Sequence, residues 1–194
     1  MDAVITHLLD DTHVLVMYDE VPVRERLIQL FRSMGAKVHH AETQTQAIGL
    51  YFRLFRAGIR PRAVVTSWWM AKPSSVDYEF LKMIGREEID ATALDLFRNI
   101  VDLDVTAFLS VYTRDPYSAE SILNKHRVAA EVFSRVEIDP EAFVARIATH
   151  PGIAKQRMDE FQVNLGLREI RSMSESGLYK TLKTPLPGSL GMVG

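Results

Sequence analysis

The sequence predicts an α/β fold, a doubly wound five-stranded parallel sheet, and three observations carry that prediction. Short apolar runs rich in β-branched or aromatic residues recur along the chain from His13 to Val136. Between them lie stretches whose apolar residues recur at helical spacing, and polar, Gly or Pro steps separate the two kinds. Strands that alternate with helices five times over imply a parallel sheet covered on both faces. The reactive edge of such a sheet is formed by the carboxyl ends of its strands.

HVLVMY, residues 13–18, is the first strand; Asp19 and Glu20 make a polar step, and Pro22 suits the first turn of a helix. In VPVRERLIQLFRSMG, Val23, Leu27, Leu30, Phe31 and Met34 keep helical spacing, and Gly35 is placed to stop the helix. AKVHHA is the second strand. Thr43 to Ala57 is helical through Ala47, Ile48, Tyr51, Leu54 and Phe55, and the GIRP turn leads into the third strand, RAVVTSWW. Val76 to Asp102 reads as helix in two pieces, interrupted at Gly85 and the charged GREEID step. VTAFLSVYT is the fourth strand, and SAESILNKH is a short helix with Ser118 as its cap and Ser121 in its first turn. AAEVFSRV is the fifth strand, and IDPEAFVARIATH is a helix with Asp139 as N-cap and Pro140 at its first position.

At 194 residues and 47% hydrophobic, the chain suffices for one good-sized core with an appendage. The expected organisation is a domain over residues 1–150, a C-terminal helix over 151–176 and an extended or flexible tail over 177–194. A net charge of −2, from 23 basic and 25 acidic residues, gives no global pull toward nucleic acid or a membrane surface. Without cysteine there is neither a disulfide nor a thiolate metal site, which fits a reducing compartment. MDAVITHLLDD has no basic n-region or long apolar h-region, and no apolar run approaches the ~20 residues that span a bilayer. The expectation is a soluble, cytoplasmic protein.

One stretch stands out: VVTSWWM, residues 64–70, ends a buried strand where a reactive acid would be expected, and contains none. The rhythm of residues 14–47 gives that absence a meaning. VLVMYDE is followed by Arg24 five residues after Asp19, by a helix end at Gly35, and by Ala41 six residues ahead of Ala47. In this it resembles the receiver domains of bacterial two-component response regulators, over roughly residues 13–149. The resemblance implies a flavodoxin-like sheet and a five-group site at its strand ends. In the family, two adjacent acids after the first strand and a phospho-accepting aspartate after the third hold Mg²⁺; the corresponding residues here are Tyr18, Asp19 and Ser67, with Glu20 next along. If the register shifts by one, Trp68 takes the acceptor place. The family's Thr or Ser after the fourth strand corresponds to Thr113, and its Lys after the fifth to Arg135, followed by Val136 instead of proline. The slot of the family's aromatic switch falls on Val132, with Phe133 beside it.

Only Asp19 and Thr113 match. Mg²⁺ is a hard ion that needs carboxylate oxygens, so a site reduced from three carboxylates to one should bind it weakly. Ser67 is a hydroxyl with no evident base beside it. Arg135 keeps a positive charge whose fork favours a bidentate carboxylate, for which Asp19 is the candidate. The expectation is a degenerate pseudo-receiver that catalyses nothing, holds no metal or cofactor, and does not run on phosphate.

Other sites carry less. His39 and His40 point to opposite faces of a strand, and His126 and His150 sit near helix ends, where cations favour the dipole. Glu87, Glu88 and Asp90 read as a solvated charge step, and Trp68 and Trp69 as a plug over the disused acidic pocket. No phosphate-binding glycine motif follows any strand. The C-terminal helix carries a narrow apolar stripe of Ala154, Met158, Phe161 and Leu165, which needs a partner surface; Met158, Phe161 and Leu165 are the candidate interaction residues. The expected function is phosphorylation-independent regulation through protein contact, with itself or another protein, through a face near residues 118–149 and the added tail. The alternatives are a receiver-like wing or subunit of a larger, possibly enzymatic, assembly, and a transcription regulator using its C-terminal tail. No membrane is expected as a partner, and nucleic acid is not favoured by the charge.

Overall fold

The computed structural model describes residues 8–70, 92–151 and 153. The chain divides into two units, Met1–Ala154 and Lys155–Gly194, and every described residue lies in the first. The tail candidates Met158, Phe161 and Leu165, like the charge step at Glu87, Glu88 and Asp90, lie outside the described residues.

Five strands form one sheet: β1 (His13–Met17), β2 (Lys37–Ala41), β3 (Ala63–Thr66), β4 (Phe108–Thr113) and β5 (Glu131–Ser134). Their order is β2-β1-β3-β4-β5, and every adjacent pair is parallel. The helices α1 (Val21–Ser33), α2 (Gln44–Arg56), α3 (Ala93–Leu103), α4 (Pro116–Lys125) and α5 (Pro140–Ala148) alternate with the strands as the sequence predicts. Both faces of the sheet are covered, which is why β1 and β3 read as continuous apolar runs and not as alternating ones.

Alternation along the strands sorts the core into two layers. Val14, Val16 and Tyr18 face one side, where Leu27, Ile28 and Phe31 of α1 and Phe143, Val144 and Ile147 of α5 close over them. Leu15 and Met17 face the other, against Tyr51 of α2 and Leu96, Phe97 and Ile100 of α3. Trp68 belongs to this second layer and is fully buried.

Local chemistry sets the helix ends. The Thr43 hydroxyl accepts from the Gln46 amide at 3.2 Å, and Asp139 Oδ1 accepts from the Ala142 amide at 2.7 Å with Pro140 opening α5. Gly35 follows α1 at φ +90°, and a Cβ there would collide with the Asp10 carboxylate, so this stop requires glycine. The fourth helix corrects one expectation: it begins at Pro116, and its cap is Asp115, whose Oδ1 accepts from the Ser118 amide at 3.2 Å. Ser118 thus supplies the capped amide, not the capping oxygen. No helix among the described residues is long and apolar enough to cross a membrane.

The aromatic knot of the first layer offers the sharpest test of the packing. Phe143 is fully buried, stacks on Tyr112 at 4.4 Å between ring centroids, and meets Phe133 edge-on at 5.1 Å. Phe143→Ala removes those contacts and leaves a cavity, so a loss of about 3–5 kcal/mol in unfolding free energy is expected from urea titration.

Candidate functional site

The parallel sheet brings the ends of β1, β3, β4 and β5 to one edge, and with them Tyr18, Asp19, Glu20, Ser67, Thr113 and Arg135. The structure gathers this set around two separate bonding groups.

The first group centres on Arg135. Its guanidinium grips Glu20 in a fork, Nη1 to Oε1 at 2.7 Å and Nη2 to Oε2 at 3.2 Å, and Nη1 also donates to the Tyr18 hydroxyl at 3.2 Å. The same cation lies 5.5 Å from the Tyr18 ring centroid and 5.9 Å from that of Tyr112. The Tyr18 hydroxyl donates onward to the Tyr112 carbonyl at 2.6 Å. A sequence reading that pairs Arg135 with Asp19 is corrected here. Glu20 takes both fork positions of Arg135, while Asp19 lies beside the Ser67 hydroxyl.

The second group is Asp19 with Ser67. Ser67 follows β3 directly, and Trp68 is core, not a plug. Trp69 is 54% exposed and meets Trp68 edge-on at 6.3 Å between centroids. The Ser67 hydroxyl donates to the Trp69 carbonyl at 2.7 Å and lies 3.3 Å from Asp19 Oδ1. A carboxylate therefore does stand beside Ser67, contrary to the sequence expectation, but the hydroxyl proton is directed at the backbone by the shorter bond.

Thr113 is buried at the end of β4, where its Oγ1 accepts from the Asp115 amide at 3.2 Å. Three residues enter that the sequence analysis did not assign to the site. Arg24, buried in α1, donates to the Tyr18 carbonyl at 3.0 Å and to Glu42 Oε1 at 2.9 Å, anchoring the loop after β1. Arg114 lies 3.9 Å from Glu20 Oε2 and adds a second positive charge beside the same carboxylate. Glu42 and Arg114 each follow a strand end by one residue, and that position is the signal by which they could have been found.

The electrostatics follow the bonding. The Arg135 hydrogen bonds, ahead of its charge and that of Arg114, hold the Glu20 carboxyl below its ordinary value of 4.5. Burial pushes the Tyr18 phenol well above its ordinary value, so it stays a neutral hydroxyl across the physiological range. These residues do not fit a divalent metal. Tyr18 offers no anionic oxygen, Glu20 has both oxygens on Arg135, and Asp19 is the one carboxylate left. No group of three or more His, Cys, Asp or Glu side chains is arranged to hold a metal among the described residues. The histidines do not add to the edge. His13 and His39 stack on each other across β1 and β2, with Nδ1 and Nε2 2.8 Å apart, and burial lowers both pKa values.

No protein-family model and no curated protein sequence matches the chain. Solved structures do. A response regulator receiver domain protein from Clostridium thermocellum matches with TM-score 0.52 and 17% identity, over 76% of this chain and 98% of that one. A two-component response regulator from Clostridium difficile matches with TM-score 0.54 and 14% identity, over 76% and 98%. A receiver domain protein from Methanospirillum hungatei matches with TM-score 0.52 and 12% identity, over 80% and 99%. The chain has the fold of response regulator receiver domains, the flavodoxin-like architecture that the sequence predicts.

The Glu20–Arg135 pair carries a pH signature. The folded pKa of Glu20 lies below the unfolded one, so its contribution is complete above about pH 4.5 and is lost as the pH falls through the lower folded value. Glu20→Gln is expected to flatten the acid-side decline of the urea midpoint below about pH 4.5, with no change of slope at neutral pH. An unchanged slope would remove Glu20 from the acid response.

Proposed function

We propose that the chain is a pseudo-receiver that acts in signalling or regulation by protein contact, without phosphorylation and without catalysis. The observation that carries this reading is the closed Arg135–Glu20–Tyr18 cluster. A guanidinium with both fork positions on one carboxylate is not free to meet an incoming phosphoryl group, and the carboxylate so held is not free to take a metal.

A contact role has support in the surface at the same edge. Among the described residues, seven large hydrophobic side chains are exposed, and four of them, Val21, Trp69, Tyr117 and Val136, follow the carboxyl ends of β1, β3, β4 and β5. Tyr117 and Val136 are 84% and 80% exposed. Apolar side chains that converge on one edge of a soluble domain belong to a recognition surface more often than scattered ones do.

The test uses Trp69, which lies beside Ser67. Mg²⁺ with or without beryllofluoride is expected to give no saturable change in tryptophan fluorescence through the millimolar range, and acetyl phosphate no mass increase. Ser67→Asp alone is expected to leave both results unchanged, because the new carboxylate would join Asp19 alone while Glu20 stays held by Arg135 and Tyr18 offers no anionic oxygen. Saturable metal binding by the parent protein, or phosphate uptake by the single variant, overturns the reading.

A further inference from the structure

A second feature lies at the opposite edge of the sheet and is independent of the reading above. There, between the second half of α3 and the loop from α4 to β5, opens a cavity of about 360 Å³. Val101, Val105 and Leu109 give it an apolar wall; Arg98 and Arg127 bring two guanidinium groups, and Asp102 one carboxylate. We propose that this cavity binds a small monocarboxylate with an apolar body.

Arg127 is the first observation. It follows the α4 C-cap residue, His126, at φ +56°, in the left-handed region that glycine fills with least strain. The chain places an arginine there instead. Its guanidinium has no hydrogen-bond or ion-pair partner among the described residues. An unstrained glycine would terminate α4 equally well, so the side chain at 127 serves something other than the turn, and the cavity is where it borders.

Arg98 is the second. One of its nitrogens donates to His126 Nδ1 at 2.7 Å, and another lies 4.0 Å from Asp95 Oδ1. That bonding steadies the side chain on the cavity wall and leaves further N–H donors of the planar fork for a ligand. The third observation is the wall. Val105 is 81% exposed, and its cover by a ligand's hydrocarbon part would remove apolar surface from water.

Charge then selects the class. Arg98 is already met by Asp95, which leaves the unpartnered guanidinium of Arg127 as the positive charge to be met. A monoanion balances it. A phosphate dianion would bring excess negative charge to Asp102 and has no apolar part for Val101 and Val105. An alkylammonium would meet the two arginines. The volume lies at the low end of small-molecule sites, which suits a ligand of a few to a dozen heavy atoms.

The experiment titrates the full chain with octanoate, inorganic phosphate and octylammonium, and follows backbone amide resonances. Octanoate is expected to give saturable shifts confined to residues 98–109 and 126–129, with phosphate weaker and octylammonium without effect. Arg127→Gly is expected to weaken octanoate binding by about tenfold or more while the thermal midpoint holds, since glycine accepts the left-handed backbone. Arg114→Gln, at the other edge of the sheet, is expected to bind octanoate as the parent does. No saturable shift with octanoate, equal binding of phosphate, or an Arg127→Gly protein that binds undiminished would each overturn the proposal.

Discussion

A positive charge that is mostly withdrawn from water needs a counter-charge, and at the edge of this sheet the counter-charge comes from within the chain. Arg135 has a side chain only 14% exposed, and the Glu20 carboxylate meets it in a fork. The remaining features of the edge follow from that pairing. The loop after β1 must bring Glu20 back over Tyr18 to reach the end of β5, and Arg24 holds the loop in that course through the Tyr18 carbonyl. The Tyr18 ring then lies beneath the guanidinium, where an ionised acid would compete with Glu20 for the same donors. A neutral phenol gives Arg135 an acceptor and donates its own hydrogen bond to the Tyr112 carbonyl.

The same stack joins the site to the core. Tyr18, Tyr112, Phe133 and Phe143 all belong to the layer between the sheet and α1 with α5. Tyr112 also donates from its hydroxyl to the Ile138 carbonyl at 2.8 Å, just ahead of the Asp139 cap of α5. Arg135, through Tyr18 and Tyr112, is thus continuous with the segment that starts α5. Aromatic rings in contact do not deform gradually, because interiors are close-packed. An edge tied to α5 by rings and hydrogen bonds therefore shares its packing with the core.

Much of the fold was legible because burial writes directly into the sequence. β1 and β3 are apolar on both faces, and Asp139-Pro140, Thr43 and Gly35 mark helix ends through chemistry that each residue performs alone. The site was legible only as a set of positions. Which carboxylate meets Arg135 depends on side-chain direction in the bend after β1, where the alternation of a strand no longer holds. Asp115 was missed as the α4 cap because a serine three residues on offers the same chemistry, and the start of the helix was set by Pro116. Trp68 was misassigned because a ring after a strand end looks exposed by position, whereas alternation places it with Val64 in the second layer. No period in the sequence could have shown that residues 98–109 and 126–129 enclose a cavity, since that depends on how closely two loops approach.

The residues that do match the receiver pattern have structural partners of their own. Thr113 accepts from the Asp115 amide, and Asp115 in turn caps α4, so a hydroxyl at the end of β4 has work to do in starting that helix whether or not a phosphoryl group ever arrives. Asp19 stands within reach of the Ser67 hydroxyl, between two strand ends. Arg24 would be a buried cation without Glu42 and the Tyr18 carbonyl. Thr113 and Arg24 are therefore bonded inside the fold, and each can persist for the sake of the fold. Their presence supports the architecture and is independent of phosphoryl chemistry; after β3 the Ser67 hydroxyl directs its proton to the Trp69 carbonyl, with the Asp19 carboxylate beside it.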